Sequence, residues 1–180
     1  MRNQINPHFL FNSFNTLISE IEDDPHNAAE YVEHLSDFYR NIVVHREKDL
    51  IGLEEEIDIL NDYCFIQQKR YGQALQIQIS ISRTQQKQYY IVPLALQLLF
   101  ENAVKHNVIS TQNPLYIKLY IENDEQLVVC NNVNKKFNHE KGSSMGLQNI
   151  QKRYQLLRGK TVIVKNDDKF FTVKIPLIKK

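Results

Sequence analysis

His8 and Asn12 stand four residues apart in the run Asn6-Pro7-His8-Phe9-Leu10-Phe11-Asn12. On a helical wheel of about 100° per residue, His8, Asn12, Asn15 and Ser19 fall within a wedge of about 60°. The apolar positions Leu10, Phe14, Leu17, Ile18 and Ile21 form a stripe on the other side. His8 is therefore expected to face solvent, one turn from Asn12. An imidazole with a pKa of about 6.5 is largely neutral at pH 7 and offers a ring nitrogen as nucleophile. Asn12 can hydrogen-bond such a ring and orient it, but cannot take its proton. Taken alone, the pattern also describes an ordinary surface histidine.

A second set lies far along the chain. Glu101-Asn102-Ala103-Val104-Lys105-His106 ends an apolar helix expected over 93–107. Lys105 follows Asn102 by nearly one turn and can meet a phosphate as a point charge. Gly142-Ser143-Ser144-Met145-Gly146-Leu147 comes after a polar loop and before another helix. Glycines so placed let backbone N–H groups turn toward an anion at a helix N-terminus. Between the two, a strand over 126–131 runs into Asn131-Asn132. The plain alternatives are a core helix ending in polar residues and a loop beginning with two asparagines.

The elements that must position these residues read as follows. Residues 1–72 are helical. The stripe on 5–21 is broken at Asp23-Asp24-Pro25, where Asp24 suits an N-cap and Pro25 a first helical position. A second helix carries Ala28, Tyr31, Val32, Leu35, Phe38, Tyr39 and Ile42. The two make an antiparallel hairpin whose apolar faces exceed what one hairpin covers, so a dimeric four-helix bundle is expected. After Gly52 a third helix spans 53–71, opening on Glu54-Glu55-Glu56 in accord with the helix dipole and stopping at Gly72. Beyond it the order is strand (75–81), helix (93–107), strands (115–121 and 126–131), loop (132–144), helix (145–157) and a hairpin (161–165 and 170–175). This is an α+β chain, a helical hairpin followed by an α/β sandwich.

With 22 Lys+Arg against 21 Asp+Glu, the net charge of +1 gives no basic surplus for phosphate-driven nucleic-acid binding. Cys64 and Cys130 form no CxxC pair, so neither a disulfide framework nor a zinc site is expected. No apolar run approaches the ~20 residues that span a bilayer.

The first run resembles the phosphoacceptor box of LytS-type sensor histidine kinases, roughly NPHFLFNxLN, with Phe14 where Leu is usual. Leu98 to Asn107 resembles the N box of the GHKL ATPases. Gly142 to Leu147 is similar to their G box, with Ser144 for the middle glycine, and Asn149, Arg153 and Tyr154 continue the family's run to Gly159. The resemblance implies a dimerisation and phosphoacceptor segment (1–72) and a Bergerat-type ATP-binding domain (73–180). It implies ATP and Mg2+ as cofactors, with His8 and Asn12 catalytic. Asn102 is then the Mg2+ ligand, and Asn102, Lys105, His106, Asn131, Gly142, Gly146 and Leu147 bind nucleotide. Arg153 fits either a phosphate contact or a surface role. It further implies phosphotransfer from His8 to an Asp of a response-regulator receiver domain, a homodimer, and the cytoplasmic part of a bacterial inner-membrane sensor reached through an upstream region.

Two departures matter. Phe9 stands where other histidine kinase classes carry an acid, which leaves the general base open. Asn131 stands where the family's Asp reads adenine, and the accompanying glycines are absent. Base recognition is expected to be looser by about 1 kcal/mol, a ~5-fold effect that Asn131→Asp should reverse. The degenerate box also admits a pseudokinase that acts as a dimeric regulator-binding module. A serine kinase of the anti-sigma type would share the fold but not the His8 segment.

Overall fold

The computed structural model describes residues 7–134 and 145–180. Helix α1 (Pro7–Asp23) and helix α2 (Pro25–His45) meet at Asp24. Asp24 caps α2 as its residue type demands: one carboxylate oxygen accepts from His26 N at 2.9 Å, the other from Asn27 Nδ2 at 3.0 Å. Helix α3 (Leu53–Tyr71) ends at Gly72, whose φ of 53° is a left-handed conformation open to glycine at little cost.

Most of the expected stripe on α1 does not face the rest of the chain, although Leu17 packs against the core. Phe9 and Ser13 are buried, whereas Phe14, Ile18 and Ile21 are exposed, as is Phe11. The chain's own contact line runs through 9, 13, 16, 17 and 20, the last bonded by Lys69 of α3, while Phe11, Phe14, Ile18 and Ile21 point outward. The reason is the aromatic cluster below: Phe9 packs at 5.4 Å from the Phe38 ring and 5.5 Å from that of Tyr63. Aromatic rings packed in this way, edge-on to Phe38 and stacked on Tyr63, bury large apolar area and hold α1 in this rotation.

Helix α3 is the hub, with apolar residues buried around much of its circumference: Leu53, Ile57, Ile59, Leu60, Tyr63, Cys64 and Ile66. It packs on α2 on one side and on α5 (Ala95–His106) on the other. The hydrophobic core is accordingly continuous from Phe9 to Ile178.

Two sheets follow. The larger joins β2 (Leu75–Ser80), β4 (Leu115–Glu122), β5 (Gln126–Asn132), β7 (Phe170–Pro176) and β6 (Ile163–Asn166) in the order β2-β4-β5-β7-β6. The β2–β4 pair is parallel and the others antiparallel. Leu115, Ile117 and Leu119 alternate inward, and α5 lies across β4 and β5. Helix α6 (Met145–Arg158) lies beside α5. The smaller sheet has β3 (Tyr89–Ile91) between β1 (Ile51–Gly52) and β8 (Ile178–Lys179). It was absent from the expected elements, as was the one-turn helix α4 (Arg83–Gln86). Segments of two to four residues carry no readable period. The capping box that opens α4 is nonetheless written in the sequence: Ser82 Oγ accepts from Gln85 N, and Gln85 Oε1 accepts from Ser82 N.

Candidate functional site

Phe9, locked in the aromatic cluster, fixes the rotation of α1 and so turns the preceding residue outward. His8 is exposed, as the wheel requires. Asn12 Nδ2 lies 3.0 Å from His8 Nδ1 and 3.3 Å from Nε2. The amide therefore holds the ring's edge from one turn below. Asn15 and Ser19 are exposed on the same side.

On α5, Leu96, Leu99, Phe100, Ala103 and Val104 are buried. Asn102 is half-buried and Lys105 and His106 are exposed, so the three polar residues share the face turned from the core. Leu98 lies one turn before Asn102 on that face. Against Leu98 sits Gly146, so closely that a β-carbon there would fall 2.7 Å from Leu98 Cδ1. The structure thus brings the start of α6, with Gly146 and the half-buried Leu147, to the polar face of α5. Gly146 is itself helical, and what its lack of a side chain permits is close helix–helix approach rather than a left-handed turn. Gly142 and the segment 135–144 lie outside the described residues.

Asn131 is buried on the inward face of β5, the face that Leu127 and Val129 share. Its Nδ2 donates to the Asn132 carbonyl at 2.6 Å. The following asparagines hold the chain that leaves β5. Asn132 Oδ1 accepts from Tyr116 N at 2.7 Å, and Asn134 N donates to Asn107 Oδ1 at 2.6 Å. Asn107 in turn donates to Ala103 O at 2.8 Å. This amide network anchors the β5 exit to the end of α5. Of these, Asn132 and Asn134 fall in the expected loop, whereas Asn107 ends the expected helix and Asn131 the expected strand; the network that joins them depends on partners far apart in the chain.

Arg153 lies away from this face. Its Nη2 donates to Lys48 O at 2.7 Å, in the segment between α2 and β1. Tyr154 is buried, and its hydroxyl accepts from Val92 N at 3.3 Å. Glu101 accepts from Gln97 Nε2 at 3.3 Å. The Glu101 charge also reaches the cluster under His8. Burial above all, then Tyr31 and Glu101, pushes the Tyr39 phenol up to about 12, and burial followed by Glu101 raises that of Tyr63.

Glu56, expected only as one of three acids suited to the helix dipole, has a further role. It is 1% exposed, and its carboxylate accepts from Leu94 N and Leu96 N, each at 2.8 Å. Burial pushes it up to about 7, against the pull of those N–H groups, that of Ala95 and Arg153.

Among the described residues, no group of three or more His, Cys, Asp or Glu side chains could hold a metal. A single amide oxygen at Asn102 fits Mg2+, which keeps waters and takes substrate phosphates as its other ligands. Arranged in this way, the chain has an exposed imidazole steadied by an amide, and a polar helix face with a cation, faced by a second helix's first turn.

Residues 1–75 match the family model described as histidine kinase. The chain is 37% identical over 103 residues to the sensor histidine kinase BtsS of Escherichia coli (strain K12), covering 57% of this chain and 18% of that protein. It is 30% identical over 125 residues to the sensor protein LytS of Bacillus subtilis (strain 168), covering 69% and 21%. The chain therefore spans about a fifth of the length of these curated relatives. Among solved structures, the Acinetobacter baumannii histidine kinase AdeS superposes with a TM-score of 0.46 at 15% identity, over 94% of this chain and 97% of that one. The mycobacterial sensor histidine kinase MprB gives 0.45 at 13%, over 73% and 98%.

Proposed function

We propose, from the match of residues 1–75 to the histidine kinase family model and the similarity to LytS-type sensor proteins, that this chain is a kinase core that phosphorylates His8 from MgATP and passes the phosphoryl group to an Asp of a receiver domain. The observation that carries the reading is His8 itself, exposed on α1 and held at 3.0 Å by Asn12.

A lone pair on one His8 ring nitrogen forms the bond to the γ-phosphorus. The bond from that phosphorus to the bridging oxygen breaks, and ADP leaves with the electron pair. The proton on the other ring nitrogen is then shed to solvent. Asn12 orients the ring throughout and takes no proton.

On the nucleotide side, Asn102 would ligate Mg2+ with its amide oxygen. Lys105 and His106 would meet the phosphates, with Gly146 and Leu147 closing from the start of α6; Gly142 is assigned to the same role from its place in the sequence alone. Mg2+ supplies charge neutralisation at the γ-phosphoryl when bound. Asn131 would read adenine with its Oδ1, since its Nδ2 is engaged by Asn132 O.

The division into 1–72 and 73–180 fits these roles, with α3 packed on both. A homodimer is supported by the outward stripe Phe11, Phe14, Ile18 and Ile21 on α1 together with exposed Val32, Val43 and Val44 on α2. An exposed apolar surface of this extent is uncommon on a monomer. No described helix is long and apolar enough to cross a membrane. We place the chain on the cytoplasmic side of a bacterial inner membrane, where ATP and a receiver domain are both at hand.

Incubation with γ-labelled ATP and Mg2+ tests the reading. Acid-labile label on the wild-type chain, absent from His8→Gln while that variant still binds nucleotide, is the expected result. Label retained in His8→Gln would refute the assignment, and ATP binding without any labelling would favour a pseudokinase.

A further inference from the structure

Helix α5 begins without a cap of its own. Its N-cap residue is Leu94, left-handed at φ 62° and without a side-chain oxygen, and Pro93 before it offers none either. The first N–H groups of a helix need acceptors, and in a buried setting water does not supply them. They find them on another helix: Glu56 of α3 takes Leu94 N on Oε2 and Leu96 N on Oε1.

We propose that Glu56 is a positioning residue for the nucleotide site, holding the start of α5 from α3 so that Asn102 and Lys105 present themselves in register to the phosphates. The inference rests on the reading above that α5 binds MgATP. Two bonds from one carboxylate to N–H groups two residues apart fix both the rotation and the axial position of the first turn. An α-helix rises 1.5 Å per residue and is stiff over this length, so Asn102, about 9 Å beyond Leu96, follows whatever the first turn does. Gly146 docks on Leu98, between the cap and Asn102. The start of α6 is therefore set by the same anchor.

Among the described residues, the charged and titratable groups that act on Glu56 are Arg153 and Tyr154, both from α6. From α5 it meets backbone N–H groups. Arg153 is tied to Lys48 O and Tyr154 to Val92 N, so the far end of α6 converges on the same point. Only the ionised carboxylate offers two good acceptors. The protonated form turns one oxygen into a donor that confronts an N–H. With the carboxyl raised to about 7, both forms are populated near neutrality.

The test uses the wild-type chain. Backbone amide shifts of Leu94 and Leu96 are followed by NMR between pH 5.5 and 8.5, with and without a non-hydrolysable MgATP analogue. If the ionised cap favours nucleotide about 5-fold, reciprocity lowers the Glu56 midpoint by about 0.7 pH unit on saturation. A midpoint that stays put or rises with the analogue bound overturns the proposal alone. A wild-type chain that binds no analogue at any pH overturns the functional reading, and this inference with it. In parallel, Glu56→Gln should bind the analogue about 5-fold more weakly at pH 8 and lose the wild-type pH dependence, with its fold retained. A folded Glu56→Gln that matches wild type at every pH also overturns it. If that variant does not fold, the wild-type titration decides.

Discussion

The Asn131 side-chain amide donates to the neighbouring Asn132 carbonyl at 2.6 Å, which leaves its Oδ1 as the atom available to a ligand. An asparagine in the place of an adenine-reading aspartate must dispose of its NH2 group, and here the adjacent backbone takes it. The residue types alone lead to the expectation that Asn131→Asp tightens ATP. The hydrogen bond reverses that sign, because a carboxylate would set an oxygen against the Asn132 carbonyl oxygen. A bond worth ~0.5–1.5 kcal/mol is lost and a repulsion takes its place. Asn131→Asp should weaken ATP by ~5-fold or more and leave tripolyphosphate affinity unchanged. Calorimetry with both ligands decides, and tighter ATP would show that the Asn132 peptide reorients.

Gly146→Ala drives a β-carbon to 2.7 Å from Leu98 Cδ1 and 3.0 Å from Cδ2. The clash involves the far end of a half-buried side chain, which can turn aside. Alanine also gains about 1 kcal/mol as a helix former. Overpacking costs ~1–3 kcal/mol, so net stability should change by no more than ~2 kcal/mol. MgATP affinity should fall nonetheless, because Leu98, turned aside, takes up room beside Asn102 on the polar face of α5. The double variant with Leu98→Ala should restore binding, a coupling that a double-mutant cycle measures directly.

Phe9→Ala removes the ring that stacks on Tyr63 and meets Phe38 edge-on. Urea denaturation should register a loss of ~3–5 kcal/mol. Phe14→Ala, on the exposed stripe, should leave that midpoint nearly unchanged at low concentration and weaken self-association in sedimentation equilibrium. Equal losses from the two variants would contradict the rotation of α1.

Glu56 makes stability depend on pH in a direction unusual for a carboxylate. Its pKa rises from 4.5 to about 7 on folding, because burial outweighs the N–H groups and Arg153. Below pH 4.5 the group is protonated in folded and unfolded chains alike and its contribution is intact. Between about 4.5 and 7 the unfolded chain ionises first, so stability falls as pH rises, by ~3 kcal/mol in all. Glu56→Gln should remove this slope, which appears as the difference between the urea midpoints of the two proteins across that window.

Asn102→Ala should abolish Mg2+-dependent ATP binding without unfolding the chain, since the residue is half-buried on the polar face of α5 and outside its apolar packing. Wild-type affinity in a folded Asn102→Ala protein would remove the basis for the metal assignment.

Long periodic elements and local caps were legible in the sequence. Asp24 with Pro25, the stop at Gly72 and the alternating strand β2 each depend on neighbours in the chain, and each appears where expected. What depended on distant partners was not legible. The wheel separated the polar wedge of α1 from its apolar stripe, yet could not say that Phe9, which lies between the two, would find Phe38 and Tyr63. Glu54-Glu55-Glu56 suits the helix dipole of α3, but that local rule does not distinguish the third acid, which is buried and accepts the N–H groups at the start of α5. The clue lay elsewhere in the sequence, in Pro93-Leu94-Ala95, a helix start with no Ser, Thr, Asp or Asn.

The small sheet orders events in time. Its central strand β3 pairs Tyr90 with Gly52 on one side and with Ile178 on the other, about 90 residues further on. A ribosome adding ~5–20 residues per second needs roughly 4–18 s to cover that interval. Through it, Tyr89 and Ile91, both buried in the finished fold, stand on an open strand edge beside the already available β1. The nascent chain therefore carries an unpaired, apolar template during the very period when other nascent copies are nearby. Chaperone capture, or co-translational aggregation where it is lacking, should begin once residue 91 clears the exit tunnel and end when residue 178 does.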